Sequence, residues 1–254
     1  MGDTNGSPRR IKSDITLLRI LQSLQQSGGQ TITELADELS LAKSTVHAHV
    51  HTLAEEGYLI EGENGFELGL RMLDLGGTVQ DRYLPELIRQ KVDELAIETE
   101  ERAQFVVEQD GVGVHLYCSY GKNAVQTNVW VGRHFPLHIS AAGKAILAYL
   151  PEERRESVLQ GEHVAFTEHT ITDTEAIRAE LEEIRANEYA INQQESTRGL
   201  RAVGVPIMNR DDEILGAISI SGPTHRIKGT VLHEEIPDLI LGVANEIELR
   251  LAFQ

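Results

Sequence analysis

The 254 residues carry 40 Asp and Glu against 23 Lys and Arg, a formal net charge of −17, with 41% hydrophobic and 25% charged residues. That apolar share supports one large domain or two ordinary ones and excludes a disordered chain beyond the first dozen residues, while the lack of any eighteen-residue apolar run excludes a membrane-spanning helix. One cysteine, Cys118, excludes an internal disulfide framework, and the opening MGDTNGSPRRIKSD has no apolar core of a secretory signal, so a cytoplasmic location is expected.

In chain order, residues 14–27 have apolar side chains at 15, 17, 18, 20, 21 and 24, a helical period that Gly28-Gly29 ends. In TITELADELS, Thr31 or Thr33 can cap a short helix carrying Leu35, Ala36 and Leu39 inward. LAKSTVHAHVHTLAEEG predicts a third helix with Val46, Val50 and Leu53 at i, i+4, i+7, closed by Gly57. YLIEGENGFELGL predicts two short strands around a Glu-Asn-Gly turn. Three helices and a hairpin in about sixty residues is the element order of a winged helix-turn-helix.

Residues 70–101 return to a helical period, interrupted at Gly76-Gly77, with Pro85 near the start of the second piece. AQFVVEQDGVGVHLYCSYG and NAVQTNVWVGRHFPL predict strands with glycine-containing turns. SAAGKAILAYLPEERRESVLQ predicts two short helices broken at Pro151, and DTEAIRAELEEIRANEY a solvent-facing helix. The strands RAVGVPIMN and EILGAISISG follow, with a turn at Arg210-Asp211-Asp212, and an amphipathic helix over about 233–252 ends the chain. Strands and helices mix without strict alternation, so the second half is expected to be α+β with an antiparallel sheet.

Three histidines, His47, His49 and His51, alternate along the third helix. At about 100° per residue they do not converge. Only His47 and His51 share the i, i+4 spacing of a metal pair, and two ligands do not complete a site. Lys43, Ser44, Thr45, His47 and Ala48 instead occupy the turns that enter the major groove in a helix-turn-helix, with His51 following on the outer face. Lys43 can reach phosphate or guanine, and Ala48 a thymine methyl. A plain packed helix with a polar outer face is the alternative. His115, Cys118, His134 and His138 could meet across strands as metal ligands, although sheet and surface histidines are far commoner, and no metal or other cofactor is expected. GAISISG is not the G-x-S-x-G of a hydrolase, and AAGKAIL lacks the full phosphate-loop pattern.

Seven blocks together resemble the IclR family of transcriptional regulators over about residues 12–252. They are TITELADELSLAKSTVHAHVHTLAEEGYL, FELGLRMLDLG, ELAIETEERAQFVV, FPLHISAAGKAILAYLP, TITDTEAIRAELEEIRANEYAIN, RGLRAVGVPIMN and GAISISGP. The resemblance implies a winged helix-turn-helix DNA-binding domain at 12–70, a linker helix at 71–84, and a GAF-like effector-binding and oligomerisation domain at 85–254. It implies a ligand-responsive repressor or activator of a catabolic operon, acting as a homodimer or homotetramer on double-stranded DNA, not an enzyme and not bound to membrane. The alternative is an effector-domain protein acting as a metal-binding sensor or an enzyme.

Matched positions place the effector against Ala142, Gly143, Asn192, Leu200, Ala202, Ser219 and Ser221. Asn192 stands where small-carboxylate-binding members have an acid, and Ala202 where they have a cysteine. Both departures weigh against a glyoxylate-like or pyruvate-like effector and toward a sugar acid or other organic acid. The helix start in SAAGKA offers backbone N–H groups, and Ser219 and Ser221 share one strand face. In the DNA-reading helix, Ala48-His49 replaces the family's frequent Arg and apolar pair.

The first seventy residues hold five basic against ten acidic side chains. Positive charge is therefore local: Arg9 and Arg10 before the first helix and Lys43 at the third, with the remaining acidity expected to be a solubility adaptation to a saline, halophile-type cytoplasm. Leu73, Leu75 and Val79 are expected to face a partner helix in a dimer that reads a pseudo-palindrome.

Overall fold

The structure, a computed structural model, describes residues 10–127 and 129–253. The chain divides into two compact units, one ending at Asp81 and the other starting at Arg82.

The first unit opens with α1 (Lys12–Ser27), α2 (Ile32–Leu39) and α3 (Lys43–Glu55). α1 ends because Gly28 takes the left-handed conformation and returns its N–H to Leu24. Of the two candidate threonines, Thr31 caps α2: its hydroxyl accepts from the Glu34 N–H while Glu34 accepts from the Thr31 N–H. Ile20, Leu24, Leu35, Val46, Val50 and Leu53 close a small core with Phe66. The strands β1 (Leu59–Gly62) and β2 (Gly65–Leu68) form the hairpin, with Gly62 opposite Gly65 and Glu63-Asn64 as its loop. Gly65 is required there: its φ is +104°, and a Cβ would meet the Gln30 carbonyl oxygen at 2.3 Å. Gln30 in turn bridges to Phe66 by two backbone hydrogen bonds, fastening the hairpin to the helices.

The helix α4 (Arg71–Tyr83) runs through Gly76-Gly77 without a break, against the interruption read from sequence. Two glycines lower helix propensity by about 1 kcal/mol each, which flanking residues of good propensity offset. The chain breaks instead at Leu84-Pro85, because proline disfavours the helical conformation in the residue before it.

The second unit holds α5 (Glu86–Thr99), β3 (Arg102–Gln109), β4 (Val112–Tyr120), β5 (His134–Pro136), α6 (Ala141–Tyr149), α7 (Glu152–Leu159), α8 (Thr174–Asn187), β6 (Ala190–Gln193), β7 (Leu200–Met208), β8 (Ile214–Pro223) and α9 (Ile236–Ala252). Its strands make one antiparallel sheet in the order β5-β4-β3-β8-β7-β6. One face carries Ala103, Phe105, Val203, Val205, Ile218 and Ile220, packed with residues of α5 and α9. The other carries Val106, Ala190 and Ala217, packed with α6 and α8. Period-two alternation sends neighbouring residues of each strand into different layers.

Three sequence expectations differ here. Among the described residues, 124–131 form no strand, and only His134–Pro136 of that segment pairs, with β4. Its alternating valines find no second strand to pair with. β6 was not read from sequence at all, because four residues give too short an alternation to register. The last helix follows a π-helical turn over Val231–Glu235, so α9 proper starts at Ile236.

Candidate functional site

In the first unit, α3 points Val46 and Val50 inward with no exposed surface, which turns Lys43, Ser44, Thr45, His47, Ala48 and His51 outward. This leaves one contiguous polar face at the N-terminal end of the helix. The His47 and His51 rings lie 4.1 Å apart, and His51 also meets Phe66 edge-on. His49 is half-buried on the other flank. Arg10 is exposed just ahead of α1, and Arg9 lies outside the described residues.

In the second unit, a cavity of about 620 Å³ opens on the α6 side of the sheet. Register builds its floor. Arg102 of β3 sits opposite Ser221 of β8, Ser221 opposite Ala202 of β7, and Ala202 opposite Asn192 of β6. Two residues along runs a second row: Gln104, Ser219, Gly204 and Ala190. The start of α6 rests directly on this second row, since a Cβ on Gly204 would meet the Ala141 carbonyl carbon and the Ala142 nitrogen at 2.7 Å. Loop residues around Val125, Thr127, Phe166 and Arg198 complete the wall.

Among the described residues the wall holds four arginines (Arg102, Arg133, Arg198 and Arg201) and no Asp or Glu. Arg198 is neutralised by Glu168, at 2.6 Å. Arg102 is not: only 7% exposed, it donates from Nε to the Ser221 hydroxyl at 3.0 Å and from Nη1 to the Thr127 hydroxyl, with no carboxylate partner among the described residues. Burial lowers the affinity of this guanidinium for its proton, with Arg133 acting in the same direction. His115 of β4, opposite Val106, is held down to about 3 by burial and then by Arg102 and Arg133, so its ring is neutral at ordinary pH. Gln104 donates from Nε2 to the Ser219 hydroxyl at 2.9 Å, while its Oε1, His115 Nδ1 and Arg201 Nε are buried without a hydrogen-bond partner. Unpaired buried polar atoms are rare because each costs about 1–3 kcal/mol. All three belong to residues that line this cavity.

Of the residues named from sequence, Asn192, Leu200, Ala202 and Ser221 line this cavity, and Ala142, Gly143 and Ser219 stand behind its wall. Ser219 has no exposed surface and serves Gln104. The Gly143 N–H is already taken by the Ser140 hydroxyl at 2.9 Å, so it is not an open anion donor. Asn192 is a pin: its Nδ2 donates to the Ile139 carbonyl at 2.5 Å and its Oδ1 accepts from the Gln194 N–H. Arg102, Gln104 and Arg133 carry no mark in the sequence as cavity residues, and His115, read there as a possible metal ligand, lines the cavity instead. Arg102 and Gln104 alternate around an apolar Ala103, the one local signal that could have flagged them.

Lys144 of SAAGKA is not a phosphate ligand. With 1% of its surface exposed, its Nζ bonds Glu180 at 2.5 Å and Glu195 at 2.8 Å, tying α6 to α8 and to the loop that carries Ser196 and Arg198. Among the described residues, no three His, Cys, Asp or Glu side chains gather as a metal site, and no helix is long and apolar enough to cross a membrane. His115, Cys118, His134 and His138 are not brought together: His138, for one, bonds the Val164 carbonyl through Nε2.

Residues 77–248 match the model of the bacterial transcriptional regulator IclR C-terminal domain, and residues 17–61 match the IclR helix-turn-helix domain. A probable HTH-type transcriptional regulator ArcR of Halobacterium salinarum is 36% identical over 97% of this chain and 96% of its own length. The IclR of Thermotoga maritima superimposes with a TM-score of 0.78 at 25% identity, covering 95% of this chain and 97% of that one. An IclR homologue from Microbacterium hydrocarbonoxydans, solved with 4-hydroxybenzoate, shares the fold with a TM-score of 0.83 at 23% identity, covering 96% of this chain and all of that one.

Proposed function

The chain belongs to the IclR family, as a ligand-responsive DNA-binding transcriptional regulator, and from that premise we propose that a small organic acid held by Arg102 controls its grip on an operator. The observation that carries this reading is Arg102 itself. A guanidinium buried to this degree without a carboxylate partner costs several kcal/mol of desolvation. A bound carboxylate supplies the missing charge through short, charge-assisted hydrogen bonds. The cavity is large enough for a metabolite of several carbons and lies within the usual size range of small-molecule sites. One relative of the same fold was solved with an aromatic acid, 4-hydroxybenzoate. A sugar acid or another catabolic intermediate is an equally apt class for this acid-free wall.

The DNA-reading surface in this proposal is the exposed start of α3, with Lys43, Ser44, Thr45, His47 and Ala48 at the major groove, His51 beside them, and Arg10 reaching the backbone. Leu73, Leu75 and Val79 are exposed on α4, and they support assembly as a homodimer or a dimer of dimers on a two-fold related operator. The second unit serves as the GAF-like sensing domain, and the surface acidity suits a saline cytoplasm.

The test begins by selecting operator DNA from a random-sequence pool with the purified protein. The complex is then titrated with a panel of organic acids. An acid that shifts operator affinity in the wild type and not in Arg102→Met supports the proposal. Operator binding indifferent to every acid, with no acid bound in calorimetry, counts against it.

A further inference from the structure

The helix proposed to read DNA is short of permanent positive charge. Within α3, KSTVHAHVHTLAE, Lys43 alone is always cationic. Arg19 of α1 is engaged inside the unit, donating to the Leu39 carbonyl at 3.3 Å, and ten acids outnumber five bases over the first seventy residues. Duplex binding draws much of its affinity from cations set against phosphates.

Two imidazoles continue the line that Lys43 begins. Lys43, His47 and His51 recur at four-residue spacing, which puts them on one stripe of α3, about 6 Å apart along its axis. All three are exposed. The His47 and His51 rings lie 4.1 Å apart, and His51 meets Phe66 of β2 edge-on at 5.9 Å. Phe66 is 8% exposed and tied to Gln30 by two backbone hydrogen bonds, so the ring pair stands on the core of the unit. His49, half-buried on the other flank, is not part of the stripe.

The charged neighbours on α3 are Lys43 before the pair and Glu55 one turn beyond His51. On the hairpin, Glu61 sits opposite Phe66 and shares its face, while Glu67 folds onto Gly62 and Gly29. On α2, Glu34 closes the Thr31 cap, Glu38 accepts from Gln30, and Asp37 is exposed. Carboxylates near the stripe favour the protonated rings, and Lys43 opposes them.

We infer that His47 and His51 meet DNA as imidazolium ions, so that the pair takes up protons on binding and operator affinity rises as the pH falls through neutrality. This rests on α3 as the DNA-reading helix and adds the charge state in which it reads. Imidazole is the side chain whose charge changes between about pH 5 and 8. Two positive rings 4.1 Å apart repel each other, so the free protein resists the second proton. Phosphates beside the stripe supply the opposite charge and remove that resistance. The protons then belong to the binding equilibrium, and each one taken up changes affinity about tenfold per pH unit.

The experiment is calorimetry on the full-length protein with a duplex it selects from a random-sequence pool. Runs at about pH 7.5 in buffers of different ionisation enthalpy count the protons taken up. We expect about one or more in the wild type and none in the double variant His47→Gln, His51→Phe. The phenylalanine keeps a ring against Phe66, and His47 is exposed, so the fold should survive, as checked by thermal melting. Should the double variant melt early, the two single variants repeat the count, each losing part of it. Wild-type affinity should fall about fivefold to tenfold per pH unit above neutrality, against less than about twofold in the variant. At about pH 6 the salt slope of the wild type should exceed the variant's by about two. Proton uptake in the variant equal to the wild type's, or none in the wild type, would overturn the inference and leave α3 as a neutral reader of DNA. Failure to select any duplex, or operator binding unchanged in both the double variant and Lys43→Ala, would take α3 off the DNA and remove the inference with it.

Discussion

Arg102 and Ser221 are direct cross-strand partners, and the guanidinium Nε donates to the serine hydroxyl at 3.0 Å. The serine therefore orients the arginine, which in the proposed reading is the group that meets a negative ligand. This ranks three substitutions. Arg102→Met should lower affinity for an organic acid about tenfold to a hundredfold, since hydrogen bonds to charged groups contribute about 1.5–3 kcal/mol. Ser221→Ala should cost several-fold less, because the Thr127 contact remains. Ser219→Ala should leave acid affinity nearly unchanged and act on the Gln104 amide alone. Calorimetric titration of the three variants checks the order, and a larger loss in Ser219→Ala than in Arg102→Met would reverse the assignment.

Lys43 is exposed at the first turn of α3, on the face that Val46 and Val50 leave turned outward. Lys43→Ala should weaken operator binding and lower the slope of log affinity against log salt by about one. A titration across salt concentrations reads both quantities. An unchanged slope with weaker binding would make Lys43 a base contact, and no change in either would take it off the DNA.

His115 links the cavity to acid stability. Its folded value of about 3 lies below the ordinary 6.5, for burial and the two guanidiniums disfavour the imidazolium. Between those values the unfolded chain binds a proton that the folded one does not. Its contribution to stability is therefore complete above pH 6.5 and drains away as the pH falls toward 3, on the order of 5 kcal/mol across the whole window. His115→Phe should flatten the pH dependence of unfolding free energy over that interval. Denaturant melts at several pH values measure it, and parallel curves for wild type and variant would rule the linkage out.

Gly204 lies beneath the start of α6 with no room for a methyl group: the atoms a Cβ would meet are backbone, at 2.7 Å. Gly204→Ala should lift the helix start and cost about 1–3 kcal/mol, visible as a lower melting temperature and weaker acid binding together. Retained acid affinity in a destabilised variant would show that the helix start can shift without disturbing the cavity.

Leu75 and Val79 are four residues apart on α4, each 54% exposed, and so lie on one stripe of that helix. Glutamate at both positions should shift the assembly toward monomer, as seen by light scattering, and weaken operator binding through loss of the second half-site. A variant that keeps its assembly state would move the interface elsewhere.

Local pattern made the helices legible. Val46, Val50 and Leu53 repeat at helical spacing, Thr31 and Glu34 form a reciprocal cap, and the Glu63-Asn64 loop with Gly65 after it turns the hairpin. Register was not legible in the same way. Arg102, Ser221, Ala202 and Asn192 come from four separate stretches of sequence, and nothing near any of them announces the row they make. Family-matched positions reached the row at three points and missed its charged end. The alternating valines of 124–131 misled for the converse reason, because alternation marks a strand only where a neighbour exists to pair with it. Gly76-Gly77 misled because a propensity cost of a kilocalorie or two is small beside what a whole helix gains.

The contrast between the cavity wall and the chain that encloses it has a kinetic consequence. A particle of net charge −17 repels an approaching anion at distances where the buried guanidinium is not yet felt. Dissolved salt erases that repulsion, since the screening length shrinks to about 8 Å at physiological ionic strength and about 3 Å at 1 M. The guanidinium, sealed from solvent, loses far less of its pull. Under the proposed acid-binding reading, raising salt should then speed the capture of the acid while leaving its escape nearly constant, the opposite of what an exposed arginine on a basic protein would do. A receptor of this kind answers fastest in the most saline medium it meets.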